Sequence, residues 1–150
     1  MQQAREVFES AAKAARRLTV VDAELDALSE AWRHGDWLGI ASKGTHGDPT
    51  SAEASYRMGR SKALESERES LRATVEDART LARGVGELLG KGYEDALLYR
   101  YVESRTWAEV ADALGVCLKT AHNRVSVACD CVDGLGAARV RAGRGMAEDG

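Results

Sequence analysis

The chain has 150 residues, 44% of them hydrophobic, with a formal net charge of −3, one Pro and one Phe. That length predicts one domain, or one domain with an extension, and the hydrophobic share is enough for a core. The acidic balance excludes a strong, sequence-blind coating of nucleic acid, while abundant Ala, Leu, Glu and Arg with almost no Pro predict an all-α protein.

The N-terminal stretch MQQAREVFESAAKAARR lacks the apolar run of a secretory signal. No segment is apolar over a membrane-spanning length, so a cytoplasmic location without membrane attachment is expected. The first element is a long helix from about residue 3 to 33. Val7, Ala11, Ala14, Leu18, Val21, Leu25, Leu28 and Trp32 alternate steps of four and three, an a/d seam. Such a helix is about 45 Å long at a rise of 1.5 Å per residue, and so narrow a stripe needs a partner helix.

Residues 34–50, HGDWLGIASKGTHGDPT, carry four Gly and an Asp-Pro pair and predict a loop. Trp37, Leu38 and Ile40 are expected to pack over the tip of a helical hairpin; His34 and His46 have no evident partner. A second long helix follows, opened by a Thr50–Glu53 cap. Its seam is Leu64, Leu71, Val75, Ala78, Ala82, Val85 and Leu89, interrupted by Arg68, and Gly90 and Gly92 end it. The two stripes predict an antiparallel coiled-coil hairpin over 1–90, closing within one chain or between two.

A helix is expected from Glu94 to Val102, with Leu97–Tyr101 and Leu98–Val102 as i,i+4 pairs. Residues 106–125, TWAEVADALGVCLKTAHNRV, then carry the grammar of a helix-turn-helix. Thr106 and Glu109 form a capping box. Val110, Ala111 and Leu114 give an apolar face, with Ala111 small enough for a close crossing. Gly115 supplies the positive φ of a sharp stop. Ala121 and Val125 are the buried face of a second helix, which continues through Cys129 and Val132 and stops at Gly134. Residues 136–150 are read as a flexible tail. Cys117, Cys129 and Cys131 are an odd set that predicts free thiols, with Cys129 buried. The H-x6-C-x-C spacing of His122, Cys129 and Cys131 fits no common zinc pattern.

The outward face of the second helix points to double-stranded DNA. Asn123 suits a two-pronged contact to adenine and Lys119 a guanine, with His122 and Ser126 also facing bases. Thr120 and Arg124 suit the phosphate backbone. Residues 117–128 carry a net +2 within a 94–133 stretch of net −3. No catalytic set, cofactor motif or metal cluster emerges, so no enzyme activity is expected.

Trp107, Glu109, Val110, Ala111, Leu114, Gly115 and Val116, with Leu98, Arg100, Tyr101 and Val102 upstream, resemble region 4 of sigma-70-type sigma factors. The layout of a long helical hairpin before this domain is similar to phage and prophage transcription regulators of the ArpU-like kind. Cys117 stands where that family has a capping Ser, and Ala121 where it has a larger aliphatic residue. The resemblance covers 93–133 by motif and 1–92 by layout. It implies an oligomerisation region at 1–90, a helix-turn-helix DNA-binding domain at 91–135, and transcription regulation in a bacterial or phage-infected cytoplasm. The implied partners are DNA, RNA polymerase and a second copy through the N-terminal helices. Two other readings fit the same motif: a protein-interaction module without enzyme activity, and a phage packaging protein that recognises DNA.

Overall fold

The computed structural model describes residues 3–34 and 49–143, and among them every regular element is helical. Helix α1 spans Gln3–His34, α2 Pro49–Leu89, α3 Lys91–Leu97, α4 Trp107–Leu114, α5 Leu118–Leu135 and α6 Ala137–Ala142. A π-helical turn, Leu98–Val102, continues directly from α3. The all-α expectation is met. The expected loop, with Trp37, Leu38, Ile40 and His46, falls outside the described residues over 35–48. So do residues 144–150 and the side chains of His34, Thr50 and Glu53.

Two compact units divide the chain, one of residues 17–71 and one of residues 1–16 together with 72–150. The division runs through α1 and α2. In the 17–71 unit, Val21, Leu25 and Leu64 are buried, with Leu28 and Leu71 packed against them. Ion pairs flank this seam. Arg17 grips Glu67 with two nitrogens, at 2.5 and 3.1 Å, and Arg60 meets Glu24 at 2.7 Å. Arg68, which breaks the apolar stripe, lies 3.9 Å from Asp22. Pairing 17 with 67 and 24 with 60 sets the two segments antiparallel. These pairs are exposed, so they specify register more than they stabilise.

The main core of the other unit is assembled from both of its sequence segments. Ala4, Phe8, Ala11 and Ala12 of α1 pack with Ala78, Leu81, Ala82 and Val85 of α2. Leu97, Tyr101, Val125, Cys129, Val132 and Val140 complete it. Phe8 stands outside the a/d seam yet is buried, because α1 here faces more than one neighbour and its apolar face widens. Its ring stacks on Tyr101, with centroids 5.5 Å apart and planes 23° from parallel. The Ala4 amide donates to Asp133 Oδ1 at 2.9 Å, tying the start of α1 to α5.

Two elements depart from expectation. The Glu94–Val102 helix loosens into a π turn from Leu98, where the Glu103 amide bonds the Leu98 carbonyl at 2.9 Å. Residues 137–142, expected within a flexible tail, form helix α6. The last long helix runs one residue past Gly134 to Leu135 and is stopped by Gly136 at φ 91°. That break turns Val140 into the core and brings Arg141 within 2.7 Å of Asp77. Gly84 makes the docking possible: a β-carbon there would lie 1.7 Å from the Val140 carbonyl oxygen.

Candidate functional site

The site is built by α4, the turn at 115–117 and α5. Thr106 Oγ1 accepts from the Glu109 amide at 3.2 Å, and the Thr106 amide donates to Glu109 Oε1 at 3.1 Å. The reciprocal cap satisfies two N-terminal amides. The Thr106 amide, and then its hydroxyl, hold the Glu109 carboxyl below its ordinary range. At the other end Gly115 adopts φ 68°, ψ 35°, and the Val116 amide returns to the Ala111 carbonyl at 3.0 Å. The chain can then re-enter a helix at once. Val110, Ala111 and Ala121 are buried where α4 meets α5, with Tyr99, Trp107, Leu114 and Val116 around them. Ala121, small for this position, thus sits against an equally small Ala111.

Cys117 caps α5 without a capping hydrogen bond. Its Sγ lies 3.2 Å from Thr120 Oγ1. The Thr120 hydroxyl, and then its amide, pull the thiol below its ordinary pKa. Burial pushes Cys129 the other way, up to about 11.

The six residues singled out in the sequence fall into three i,i+4 pairs on α5. Lys119 and Asn123 are exposed, opposite the buried Ala121 and Val125. Thr120 and Arg124 lie on one flank and are half-buried. Thr120 is held by Cys117, and the Arg124 guanidinium occupies the space over Gly92, where a β-carbon would lie 2.7 Å from Nη1. His122 and Ser126 form the other flank, and both are engaged. His122 stacks on Trp107 with ring centroids 3.8 Å apart. Ser126 Oγ accepts from Arg5 Nη2 at 3.1 Å. The structure therefore leaves Lys119 and Asn123 as the open centre of the face.

Three further residues belong to this surface and were missed from sequence. Arg5 reaches it from α1. Arg100, on the π turn, places its guanidinium carbon 4.6 Å from the Trp107 ring centre while Nη1 donates to the Arg105 carbonyl at 2.9 Å. Trp107, named above only as part of the sigma-like motif, is the half-buried plate between Arg100 and His122. The i,i+4 spacing of the helix face was available in the sequence for none of these contacts, since each joins different elements.

Among the described residues no group of three His, Cys, Asp or Glu side chains is placed to hold a metal ion, and no helix is long and apolar enough to cross a membrane. Compared with protein-family models, curated proteins and solved structures, the chain matches none.

Proposed function

We propose that the protein is a sequence-specific DNA-binding transcription regulator that uses α4 and α5 as a helix-turn-helix of the sigma-region-4 kind. The observation that carries this reading is the exposed Lys119–Asn123 pair on a helix whose opposite face is locked to α4 through Ala121. Lys119 and Asn123 read base edges in the major groove. His122 adds a flank contact from its stacked position, Ser126 acts with Arg5 bonded to it, and Thr120 and Arg124 meet the backbone. One helix reads only a few base pairs, so a second copy joined through the N-terminal helices supplies the remaining affinity. RNA polymerase is the other partner this reading names.

The test is selection of bound sequences from random DNA, followed by footprinting. A defined sequence should emerge, and Lys119→Ala/Asn123→Ala should abolish its preference. Recovery of no sequence, or a double mutant that binds with unchanged preference, would sink the idea.

Tyr56 and Met58, 73% and 56% exposed in the 17–71 unit, favour a second reading in which that region binds a partner protein and the helix pair serves as scaffold. Salt separates the two. DNA affinity falls steeply as salt rises, and an apolar helix interface does not weaken in that way.

A further inference from the structure

The region around α5 is short of positive charge for a DNA binder, yet a cleft beside it gathers cations from elsewhere in the chain. This cleft, of about 440 Å³, lies between α1 and the π turn within the unit that holds α5. Arg5, Lys13 and Arg16 line it from α1 and Arg100 from the π turn, together with Trp107. Glu9 is the single acid in the lining, so the cleft carries a net +3 in a chain of net −3. Arg5, Glu9, Lys13 and Arg16 are spaced four, four and three residues apart, which puts them along one helix face. Glu6 lines a separate depression with Asp77, on another side of α1.

Among the described residues none of the four cations makes an ion pair with a carboxylate. Arg5 donates to the Ser126 hydroxyl and Arg100 to a backbone carbonyl, both uncharged acceptors. Lys13 and Arg16 are exposed and make no ion pair among the described residues. Four like charges held around one hollow repel one another, and an anion placed there relieves that cost. The cleft is also continuous with the candidate reading face. Arg100 lies over Trp107, Trp107 stacks on His122, and Arg5 bonds Ser126. A helix lying in a major groove has a phosphate backbone along its flank, and His122 and Ser126 form that flank here.

We propose that the first turns of α1 form a phosphate-holding arm, in which Lys13, Arg16, Arg5 and Arg100 receive the DNA backbone that passes the His122–Ser126 side of α5. The inference rests on the DNA-binding reading and extends it to a segment more than a hundred residues away in sequence. The arm adds affinity without sequence information, since it meets phosphates and no base edge. It also supplies the positive charge that residues 94–133 lack.

The test uses the full chain and the DNA sequence that the wild type selects. Lys13→Gln/Arg16→Gln removes two exposed, unpartnered cations, so its helical signal and unfolding midpoint should match wild type. Each lost phosphate contact lowers the slope of log affinity against log salt by about 0.9. The double variant should therefore lose about 1.8 from that slope, with roughly tenfold or greater weakening at low salt and unchanged base preference. The charge-keeping Lys13→Arg/Arg16→Lys should restore the wild-type slope. An unchanged slope in the Gln variant overturns the arm and leaves the reading of α5 intact. A wild type that selects no DNA sequence overturns both.

Discussion

His122 lies flat against Trp107, 3.8 Å between ring centres and 25° from parallel, so the imidazole is held on the indole face before any ligand arrives. The contact fixes the outer flank of α5 to the first turn of α4. His122→Ala should cost about 0.5–1.5 kcal/mol of stability, the range for an aromatic pair beyond area burial. His122→Phe should recover most of it. Thermal unfolding of the three proteins checks this; an alanine variant as stable as wild type would show the stack to be incidental.

Two glycines in α2 should respond to alanine with opposite signs. At Gly84 the new β-carbon would lie 1.7 Å from the Val140 carbonyl oxygen, which is backbone and cannot swing away. Gly84→Ala should destabilise by about 1–3 kcal/mol and raise amide exchange over residues 137–142. Gly59 has nothing within 4 Å of its β-position. Gly59→Ala, in a helix interior, should stabilise by about 0.5–1 kcal/mol. Denaturant midpoints measured side by side decide both.

The three thiols should react in a fixed order. Cys117 is exposed and its pKa is lowered, Cys131 is half-buried, and Cys129 is buried with its pKa pushed up to about 11. A thiol-alkylating reagent near pH 7.5 should label Cys117 first and Cys129 last, as read by peptide mass analysis. Cys117→Ser should raise stability by about 0.5–1 kcal/mol, because a serine hydroxyl caps α5 where the thiol does not.

Cys129 also sets an alkaline limit. Its folded pKa lies above the ordinary value of 9.0, so its contribution to stability is complete below pH 9 and is lost as pH rises toward 11. The unfolding midpoint should fall between those values more steeply in wild type than in Cys129→Ala. Parallel curves would show that folding does not raise the Cys129 pKa.

A fragment starting at Lys91 should not fold on its own. It would lack Phe8, whose ring covers Tyr101, and the Leu81, Ala82 and Val85 side chains that share its core. In the full chain, Phe8→Ala should cost about 3–5 kcal/mol. A cooperative unfolding transition from the fragment would contradict the shared core.

What could be read from the sequence was local. The Thr106–Glu109 cap, the left-handed Gly115 and the burial of Ala111, Ala121 and Val125 each follow from residues within one or two turns of each other. The seams of α1 and α2 were legible where each faces a single neighbour, as at Val21, Leu25 and Leu64. They misled where the neighbours multiply, since Phe8 is buried off the seam and Leu89 is exposed on it. Val140 left no periodic trace, because distant partners fix it. Within the candidate site, the exposure of Lys119 and Asn123 followed from helical spacing. The engagement of Ser126 by Arg5, 121 positions away, did not.

The bond from the Ala4 amide to Asp133, and the burial of Phe8 and Val140 in one cluster, bear on how the protein is made. The ribosome releases Phe8 long before Val140, and the core between them cannot close until Val140 has emerged. Local helices can form during synthesis, but the assembly that holds α5 in place is a late event governed by contacts of long sequence separation. A translation product that stops before α6 would leave Gly84 and its neighbours open to water.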